Sequence, residues 1–142
     1  MISLEKARAL KEAGLRWEPK RFDLFTGGTE TWEVLETYIG EGGTKWIRGI
    51  GGWVAYGKNF TFLPRLDQLL AEIERRGWVW YIGCAAFNNK YYCQIGKVYK
   101  NEDGHIVGID YTVTPPDWFK GDTPEDAAAE TLLWILKGEL HG

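Results

Sequence analysis

The chain has 142 residues, of which 44% are hydrophobic, and it carries a formal net charge of -3 at pH 7. This length and apolar fraction predict a single domain, residues 1–142, because two domains would each bury too little surface. The acidic balance counts against binding to long nucleic acid through bulk charge, and no stretch reaches the roughly 18 apolar residues of a membrane helix.

A first helix is predicted at residues 3–13. Ser3 can cap its start, and Gly14 is placed to end it. The opening residues lack the apolar core of a secretory signal, so we expect a cytoplasmic protein. Cysteines are seldom bridged in such a protein, and Cys84 and Cys93 are expected to be reduced and buried.

The first half of the chain then predicts two strands joined by a glycine-rich turn. Residues 31–39 alternate in polarity, and residues 45–56 are rich in tryptophan and β-branched residues. Because Gly49, Gly51 and Gly52 interrupt the second segment, we expect a strand that is bent or bulged near its middle. These glycines lack the spacing of a phosphate loop or of a dinucleotide-binding turn.

A second helix is predicted from Pro64 to about Arg76, with Gly77 behind it as the stop. Leu63 cannot cap this helix with its side chain, and Arg65 lies in the first turn, where cations are disfavoured. Free N–H groups beside an arginine suit an anion. A bound phosphate and a solvated Arg65 are therefore both compatible with the sequence.

Residues 78–113 predict an antiparallel meander with strands at 78–87, 91–99 and 105–113. A two-residue turn at Asn88-Asn89 would place Cys84 directly opposite Cys93. A three-residue loop ending at Gly104 would place Lys97 opposite Ile109. The face expected to form the core then carries Trp78, Trp80, Ile82, Cys84, Cys93, Ile95, Ile109 and Tyr111.

The other face of this meander is too apolar and too rich in glycine to be simply solvated. It carries Val79, Tyr81, Gly83, Ala85, Tyr92, Gln94, Gly96 and Val98. We therefore expect a second layer or another subunit against it, and hence a homo-oligomer.

The carboxyl-terminal part predicts an exposed loop at 114–121 and a last helix. Thr123 begins this helix with a capping-box pattern, and Lys137-Gly138 is expected to end it after Leu136. Five strands with helices between and around them predict an α+β domain. Its architecture is expected to be a mainly antiparallel sheet of about five strands with helices packed on it, as an α/β/α sandwich.

The residues offer little for catalysis or metal binding. Ser3 is the only serine and has a capping role available. His105 would lie roughly 26 Å along the strand from Cys93, and Glu33 and Glu36 would point to opposite faces of their strand. The histidines and cysteines lack metal-ligand spacing. We therefore expect a protein that is not an enzyme and that carries no cofactor.

Aromatic residues are more abundant than a small core requires, with eight Trp and seven Tyr. Their rings can stack on nucleobases, while Arg and Lys bind phosphates and Asn binds base or ribose edges. The candidate ligand-binding residues are Trp46, Arg48, Trp53, Arg65, Tyr81, Asn88, Lys90, Tyr92 and Trp118. A subunit interface also uses Trp, Tyr and Arg, so a protein-interaction surface is the alternative.

From Asn59 onward the chain resembles the phage ABA sandwich domain. The resemblance rests on Phe62-Leu63-Pro64-Arg65-Leu66-Asp67, on the Trp/Tyr-rich hairpin, and on Thr123-Pro124-Glu125-Asp126 followed by Ala127-Ala128-Ala129-Glu130-Thr131-Leu132-Leu133. It implies a small phage protein with helices on both sides of a sheet. Some phage proteins of similar layout, including Thoeris anti-defence sponges, sequester cyclic nucleotide immune signals as oligomers.

This likeness in layout implies a protein that binds and sequesters a small cyclic nucleotide without catalysis. Two alternatives stay open. The first is a phage protein-interaction module that oligomerises through its sheet face. The second is a weak nucleic-acid binder.

Overall fold

The computed structural model describes residues 1–28, 30–110 and 118–141, and its described part holds three α-helices and ten short β-strands. The helices are α1 (Leu4–Glu12), α2 (Leu66–Arg75) and α3 (Pro124–His141), and a short 3₁₀ helix spans Glu41–Gly43. The strands are β1 (Leu24–Thr26), β2 (Thr31–Glu33), β3 (Glu36–Ile39), β4 (Lys45–Gly49), β5 (Gly52–Ala55), β6 (Thr61–Leu63), β7 (Val79–Ala85), β8 (Lys90–Lys100), β9 (Ile106–Asp110) and β10 (Phe119–Gly121).

The strands form three antiparallel sheets. Their orders are β2-β1-β6, β3-β4-β5 and β10-β8-β7, with β9 also paired to β8. The predicted α+β class, with helices packed on antiparallel sheet, is confirmed. The expected count of about five strands was too low, because two of the predicted strands are each divided into two and β1, β6 and β10 were not predicted.

The helices pack together on one face of the β10-β8-β7 sheet. Cys93 and Ile95 on that face are fully buried, and they belong to the same core cluster as Leu69 of α2, Leu132 of α3 and Leu10 of α1. The alternation along β8 therefore places its odd-numbered residues toward the helices, as expected. We call the opposite side of this sheet the rear face.

A second, smaller core lies between the other two sheets. Phe25, Val34 and Ile47 are buried there, and Trp17, Trp32 and Phe60 pack against them. Ile47 belongs to β4, so this cluster anchors one side of the β3-β4-β5 sheet and leaves its other side facing outward.

The predicted start and stop of α1 are confirmed. The Ser3 hydroxyl accepts a hydrogen bond from the Lys6 N–H at 3.3 Å, and Gly14 follows the helix with a φ of 99°. That left-handed conformation carries no steric penalty at glycine.

Helix α2 begins later than predicted. Arg65, not Leu63, is the residue before the helix, and Pro64 precedes it. The physical reason is that the Gln68 side chain accepts the Arg65 N–H at 2.9 Å, which fixes Arg65 in an extended conformation. Gly77 ends the helix with a φ of 88°, as expected.

Helix α3 continues past the glycine that was expected to end it. Thr123 caps its start, since the Asp126 N–H donates to the Thr123 hydroxyl at 3.1 Å. Gly138 lies inside the helix and not behind it. A glycine there costs about 1 kcal/mol relative to alanine, and the Arg76–Glu139 ion pair at 3.2 Å ties the last turns to α2.

The predicted strand at 31–39 is in fact two strands in different sheets. β2 pairs with β1, and β3 pairs with β4. Val34 lies at the break, where its N–H donates to the Asp23 carbonyl at 2.8 Å and its carbonyl accepts the Phe22 N–H at 2.7 Å. Burial of Val34 between the two sheets interrupts the strand, although the alternation of polarity continues across it.

The predicted bent strand at 45–56 is a tight hairpin. β4 and β5 pair with Arg48 opposite Trp53 and Gly49 opposite Gly52. Gly52 has a φ of 113°, which allows the chain to reverse where a bulge was expected.

The register between β7 and β8 differs from the prediction by two residues. Cys84 lies opposite Tyr91, and Ile82 lies opposite Cys93. The loop contains four residues because the Ala85 carbonyl accepts the N–H groups of both Asn88 and Asn89. A shift of two keeps every side chain on its predicted face, so the two cysteines lie on the same side of the sheet.

The register between β8 and β9 differs by one residue. Val98 lies opposite Ile109, and a bulge falls between Tyr99 and Lys100. A shift of one reverses the faces, so Ile109 lies on the rear face and not in the core. Gly108 lies opposite Tyr99, whose ring occupies the space that a Cβ at Gly108 would need, and this contact favours the observed register.

The turn before β9 has the predicted left-handed glycine, since Gly104 has a φ of 82°. Tyr111 and residues 112–113, which were expected to complete the third strand of the meander, lie outside the described residues, as do residues 114–117 of the predicted loop.

The two cysteines are free, but only Cys93 is buried. The expectation that both are buried was wrong for Cys84, which lies at an exposed end of its strand. Burial raises the pKa of the Cys93 thiol from its ordinary value near 9 to about 11, and a hydrogen bond with Thr131 opposes the shift in part.

This pKa predicts how Cys93 reacts. A Cys84→Ser variant keeps Cys93 as its single thiol, and we expect that thiol to be inert to a disulfide reagent near pH 8 until the protein is unfolded. The stability contributed by the neutral thiol is present below pH 9 and is lost as the pH rises through 11. The absorbance of the thiolate that the reagent releases measures the reaction of Cys93. Rapid labelling of the folded variant would contradict the first expectation.

Candidate ligand-binding site

The nine candidate ligand-binding residues lie in three separate places. Trp46, Arg48 and Trp53 lie on the outward side of the β3-β4-β5 sheet. Tyr81, Tyr92 and Trp118 lie on the rear face, with Asn88 and Lys90 beside them. Arg65 lies apart from both groups, in front of α2.

The first group forms a continuous patch because its strands pair in register. Arg48 lies opposite Trp53 on one side and Glu36 on the other. Trp46, two residues before Arg48, lies opposite Tyr38. We call Tyr38, Trp46, Arg48 and Trp53 together the sheet-face patch.

The aromatic rings of the sheet-face patch are open to solvent. Tyr38 is 59% exposed and Trp53 is 45% exposed. Their rings meet edge to face, with centroids 6.3 Å apart and planes at 76°. Together with Trp46 they line an open depression of about 370 Å3. Two walls at nearly right angles can hold a flat ring against one wall and its edge against the other.

The charge in the sheet-face patch comes from Arg48. Its Nε lies 3.2 Å from a Glu36 carboxylate oxygen, and both side chains are substantially exposed. An exposed ion pair of this kind contributes little stability. Arg48 therefore lies beside the rings in an ion pair that is easily broken. An anionic group of a ligand can compete with Glu36 for the Arg48 guanidinium.

Two features of the sheet-face patch were missing from the sequence prediction. Tyr38 was placed on a strand but not in the site, and the alternation of that strand was the signal that could have included it. Gly40 was placed in the glycine-rich turn but not in the site. A Cβ there would lie 3.0 Å from the Trp46 indole nitrogen, so glycine makes room for the indole.

On the rear face the candidate polar groups have partners within the protein. The Asn88 side-chain amide donates to the Tyr92 hydroxyl at 2.8 Å, and Lys90 forms an ion pair with Asp122. That ion pair lowers the pKa of the Asp122 carboxyl, chiefly through its hydrogen bond from Lys90.

The aromatic candidates of the rear face also pair with each other. The rings of Tyr81 and Trp118 meet edge to face, with centroids 5.6 Å apart and planes at 85°. Tyr81 is 55% exposed and Trp118 is 40% exposed, so this pair remains a second accessible aromatic surface.

Arg65 has partners within the protein. It donates to the Phe22 carbonyl at 2.8 Å and lies 3.4 Å from a carboxylate oxygen of Asp67 and 4.0 Å from one of Asp23. These two carboxylates lie at the start of α2, where a bound phosphate would meet them. The geometry therefore does not favour an anion there.

No pattern in the sequence indicated a groove on both sides of Trp17. Depressions of about 410 and 790 Å3 flank this residue, and basic side chains, including Lys11 and Arg16, line them. The Trp17 ring itself is occupied, because it stacks on Phe62 at 5.2 Å and packs on Phe25 at 5.5 Å. The groove is larger than the depression of the sheet-face patch, but Trp17 offers a ligand no free ring face.

No family model, curated protein or solved structure matches this chain. The resemblance to the phage ABA sandwich domain therefore stays a prediction.

Two further findings apply to the described residues. None of the helices that the structure describes is long and apolar enough to cross a membrane. The same residues contain no group of three or more His, Cys, Asp or Glu side chains placed to hold a metal ion.

Proposed function

We propose that the protein binds a small nucleotide at the sheet-face patch and sequesters it without chemical change. In this proposal it is a phage protein that removes a cyclic nucleotide immune signal in the cytoplasm of an infected host cell. The observation that carries the proposal is the convergence of Tyr38, Trp46 and Trp53 around one open depression, with Arg48 opposite Trp53 on the same face of the sheet.

The aromatic walls support binding of a base. A nucleobase stacked on Trp53 would present its edge to Tyr38, whose ring stands nearly perpendicular at 76°. Stacking on an aromatic side chain contributes about 1–3 kcal/mol per base and tolerates any base, because each has a π face. Exposure of the rings means that no side chain has to leave before a ligand enters.

The position of Arg48 supports a phosphate next to the base. Arginine binds phosphate through paired N–H groups, and the Nε of Arg48 already donates to a carboxylate oxygen of Glu36 at 3.2 Å. The phosphodiester of a cyclic nucleotide carries the same single negative charge as the Glu36 carboxylate, so it can take the place of that carboxylate beside Arg48. The base of the ligand then stacks on Trp53, and its phosphate binds Arg48 on the same face of the sheet.

The charge balance supports a small ligand over a long nucleic acid. Binding to a polymer gains affinity from many neutralised phosphates, which requires several cations along one surface. The sheet-face patch has Arg48, and the whole chain carries a formal net charge of -3. One or two phosphates match this arrangement.

Affinity for cyclic nucleotides tests the proposal. We expect Trp53→Ala to weaken binding by roughly 5- to 150-fold, the equivalent of about 1–3 kcal/mol of lost stacking. Arg48→Gln should weaken binding and reduce its dependence on salt. Titration calorimetry with a panel of cyclic dinucleotides and adenine-based cyclic nucleotides gives both values.

The matched control is Trp118→Ala, which removes an equally exposed tryptophan from the rear face and should leave the affinity unchanged. Heating the complex should release the ligand intact, and a released product would indicate an enzyme. Binding that survives Trp53→Ala but fails in Trp118→Ala would place the ligand on the rear face and contradict the proposed site.

A protein-interaction module is the second candidate. The sheet-face patch combines Trp, Tyr and Arg, the residue types that dominate binding energy at protein interfaces. Ile50, in the turn that joins β4 to β5, is 92% exposed, and a nucleotide site has no use for it. This candidate predicts that no nucleotide in the panel binds and that Trp53→Ala disrupts association with a protein.

A further inference from the structure

Strand β7 is a long edge strand without the usual protection against pairing. It pairs with β8, and no other strand among the described residues pairs with its second edge. Its seven residues read Val-Trp-Tyr-Ile-Gly-Cys-Ala, with no charged residue and no proline. An edge of this kind presents unpaired N–H and C=O groups in a row, which is a template for another strand.

Other edge strands of the protein are protected. Glu36 lies in β3, Asp110 in β9 and Lys120 in β10, and a charge on an edge discourages pairing. The uncharged edge strands β5 and β6 have four and three residues, too few to hold a partner well. Among the described strands, β7 alone combines seven residues with an uncharged edge.

We propose that β7 pairs with β7 of a second copy of this chain, antiparallel across a twofold axis at Ile82. In a twofold pairing the two edges are identical, and the unpaired N–H groups of each strand meet the unpaired C=O groups of the other. Ile82 is the midpoint of Val79–Ala85, and an axis there lets all seven residues pair. The result is one sheet that continues through both subunits.

The rear-face side chains of β7 are complementary under this symmetry. Tyr81 lies opposite the partner's Gly83, which has no side chain to obstruct the ring. The Tyr81 ring already covers Gly83 of its own strand, since a Cβ there would lie 3.2 Å from the ring. Each ring thus compensates for the glycine of its own strand, and the partner's Gly83 leaves room for that ring in the dimer.

The helix-side residues of β7 also match. Trp80 lies opposite the partner's Cys84, and both residues are exposed in the single chain. The Trp80 indole N–H donates to a Glu74 carboxylate oxygen at 2.8 Å, which directs the ring along α2 at the edge of the sheet. Pairing covers the exposed Trp80 with a small apolar side chain, whereas a charged partner strand would place a charge against it.

Cross-linking tests this register. A Trp80→Cys variant places the new thiol opposite the partner's Cys84, within the Cα separation that a disulfide spans. A mild thiol oxidant such as diamide should convert the variant to a dimer on a non-reducing gel. The matched control is Tyr81→Cys, which faces glycine and should remain monomeric on the gel, as should Trp80→Cys combined with Cys84→Ser.

Sedimentation of the unmodified protein gives an independent result. The wild type should have twice the mass of one chain, and Tyr81→Lys should have the mass of one chain with an unchanged circular dichroism spectrum. A wild type that sediments as a single chain across the micromolar range would overturn the proposal, as would equal cross-linking of Trp80→Cys and Tyr81→Cys. The pairing uses no residue of the sheet-face patch, so its failure leaves the nucleotide site untouched.

Discussion

Replacing Asp23 with alanine is expected to lower the free energy of unfolding by about 3–5 kcal/mol. The Asp23 carboxylate is 4% exposed and accepts three hydrogen bonds. Its donors are the Trp17 indole N–H at 2.9 Å, the Lys20 N–H at 3.0 Å and the Gln68 amide at 2.8 Å. Alanine would leave these partly buried donors without an acceptor, and each unsatisfied group costs about 1–3 kcal/mol.

The effect should be large because Asp23 connects parts of the fold that little else connects. Trp17 belongs to the irregular segment after α1, and Gln68 lies in the first turn of α2. The same Gln68 accepts the N–H of Arg65 and so defines the start of that helix. Loss of Asp23 therefore loosens the segment, the helix start and the edge of the second core together.

Urea unfolding followed by tryptophan fluorescence measures this change. The matched control is Asp67→Ala, which removes a carboxylate that also contacts Arg65 but is 74% exposed. We expect the control to change the free energy of unfolding by less than about 0.5 kcal/mol. An Asp23→Ala variant within about 1 kcal/mol of the wild type would show that water replaces the lost carboxylate.

The helices could be predicted from the sequence because their signals are local. A cap such as Ser3 or a stop such as Gly77 acts on neighbouring residues, and neither needs a distant partner. One exception is Gly138, which does not end α3, because Arg76 of α2 forms an ion pair with Glu139, the residue after it. These two residues are far apart in the sequence, so no local pattern predicts their contact.

The faces of β7 and β8 could be predicted from the sequence, but the exact register of neither strand pair could. The four-residue loop between β7 and β8 shifted the pairing by two, which kept Cys93 and Ile95 in the core as expected. The bulge at Tyr99 shifted the next pairing by one, which moved Ile109 to the rear face. The three-residue loop expected at Gly104 predicted the wrong register there, because it took no account of the fit of Tyr99 over Gly108.

The sequence predicted which types of residue would form the candidate site, but not which of them lie together in the fold. Trp46 and Arg48 share a face by simple alternation, whereas Trp53 joins them only because the chain reverses after Gly49. For Lys90 and Arg65, the sequence indicated available cations. Each has an acidic partner more than thirty residues away along the chain, Asp122 for Lys90 and Asp23 for Arg65, and these partners become visible only in the fold.

Replacing Gly121 with alanine is expected to lower the free energy of unfolding by about 3 kcal/mol. A Cβ at this position would lie 2.5 Å from the Ala127 nitrogen and 2.8 Å from the Asp126 carbonyl carbon. These are backbone atoms in the first turn of α3, so no side chain can rotate away. The alanine has to push α3 off β10.

The disturbance should spread to α1, because the Ser3 N–H donates to the Asp126 carboxylate at 2.8 Å. Thermal unfolding followed by circular dichroism measures the loss. The matched control is Gly57→Ala, where a Cβ would meet nothing within 4 Å, and it should be neutral or stabilising by up to about 1 kcal/mol. Equal stability of the two variants would mean that α3 can move away from β10 at little cost, and the close packing at Gly121 would then not hold these elements together.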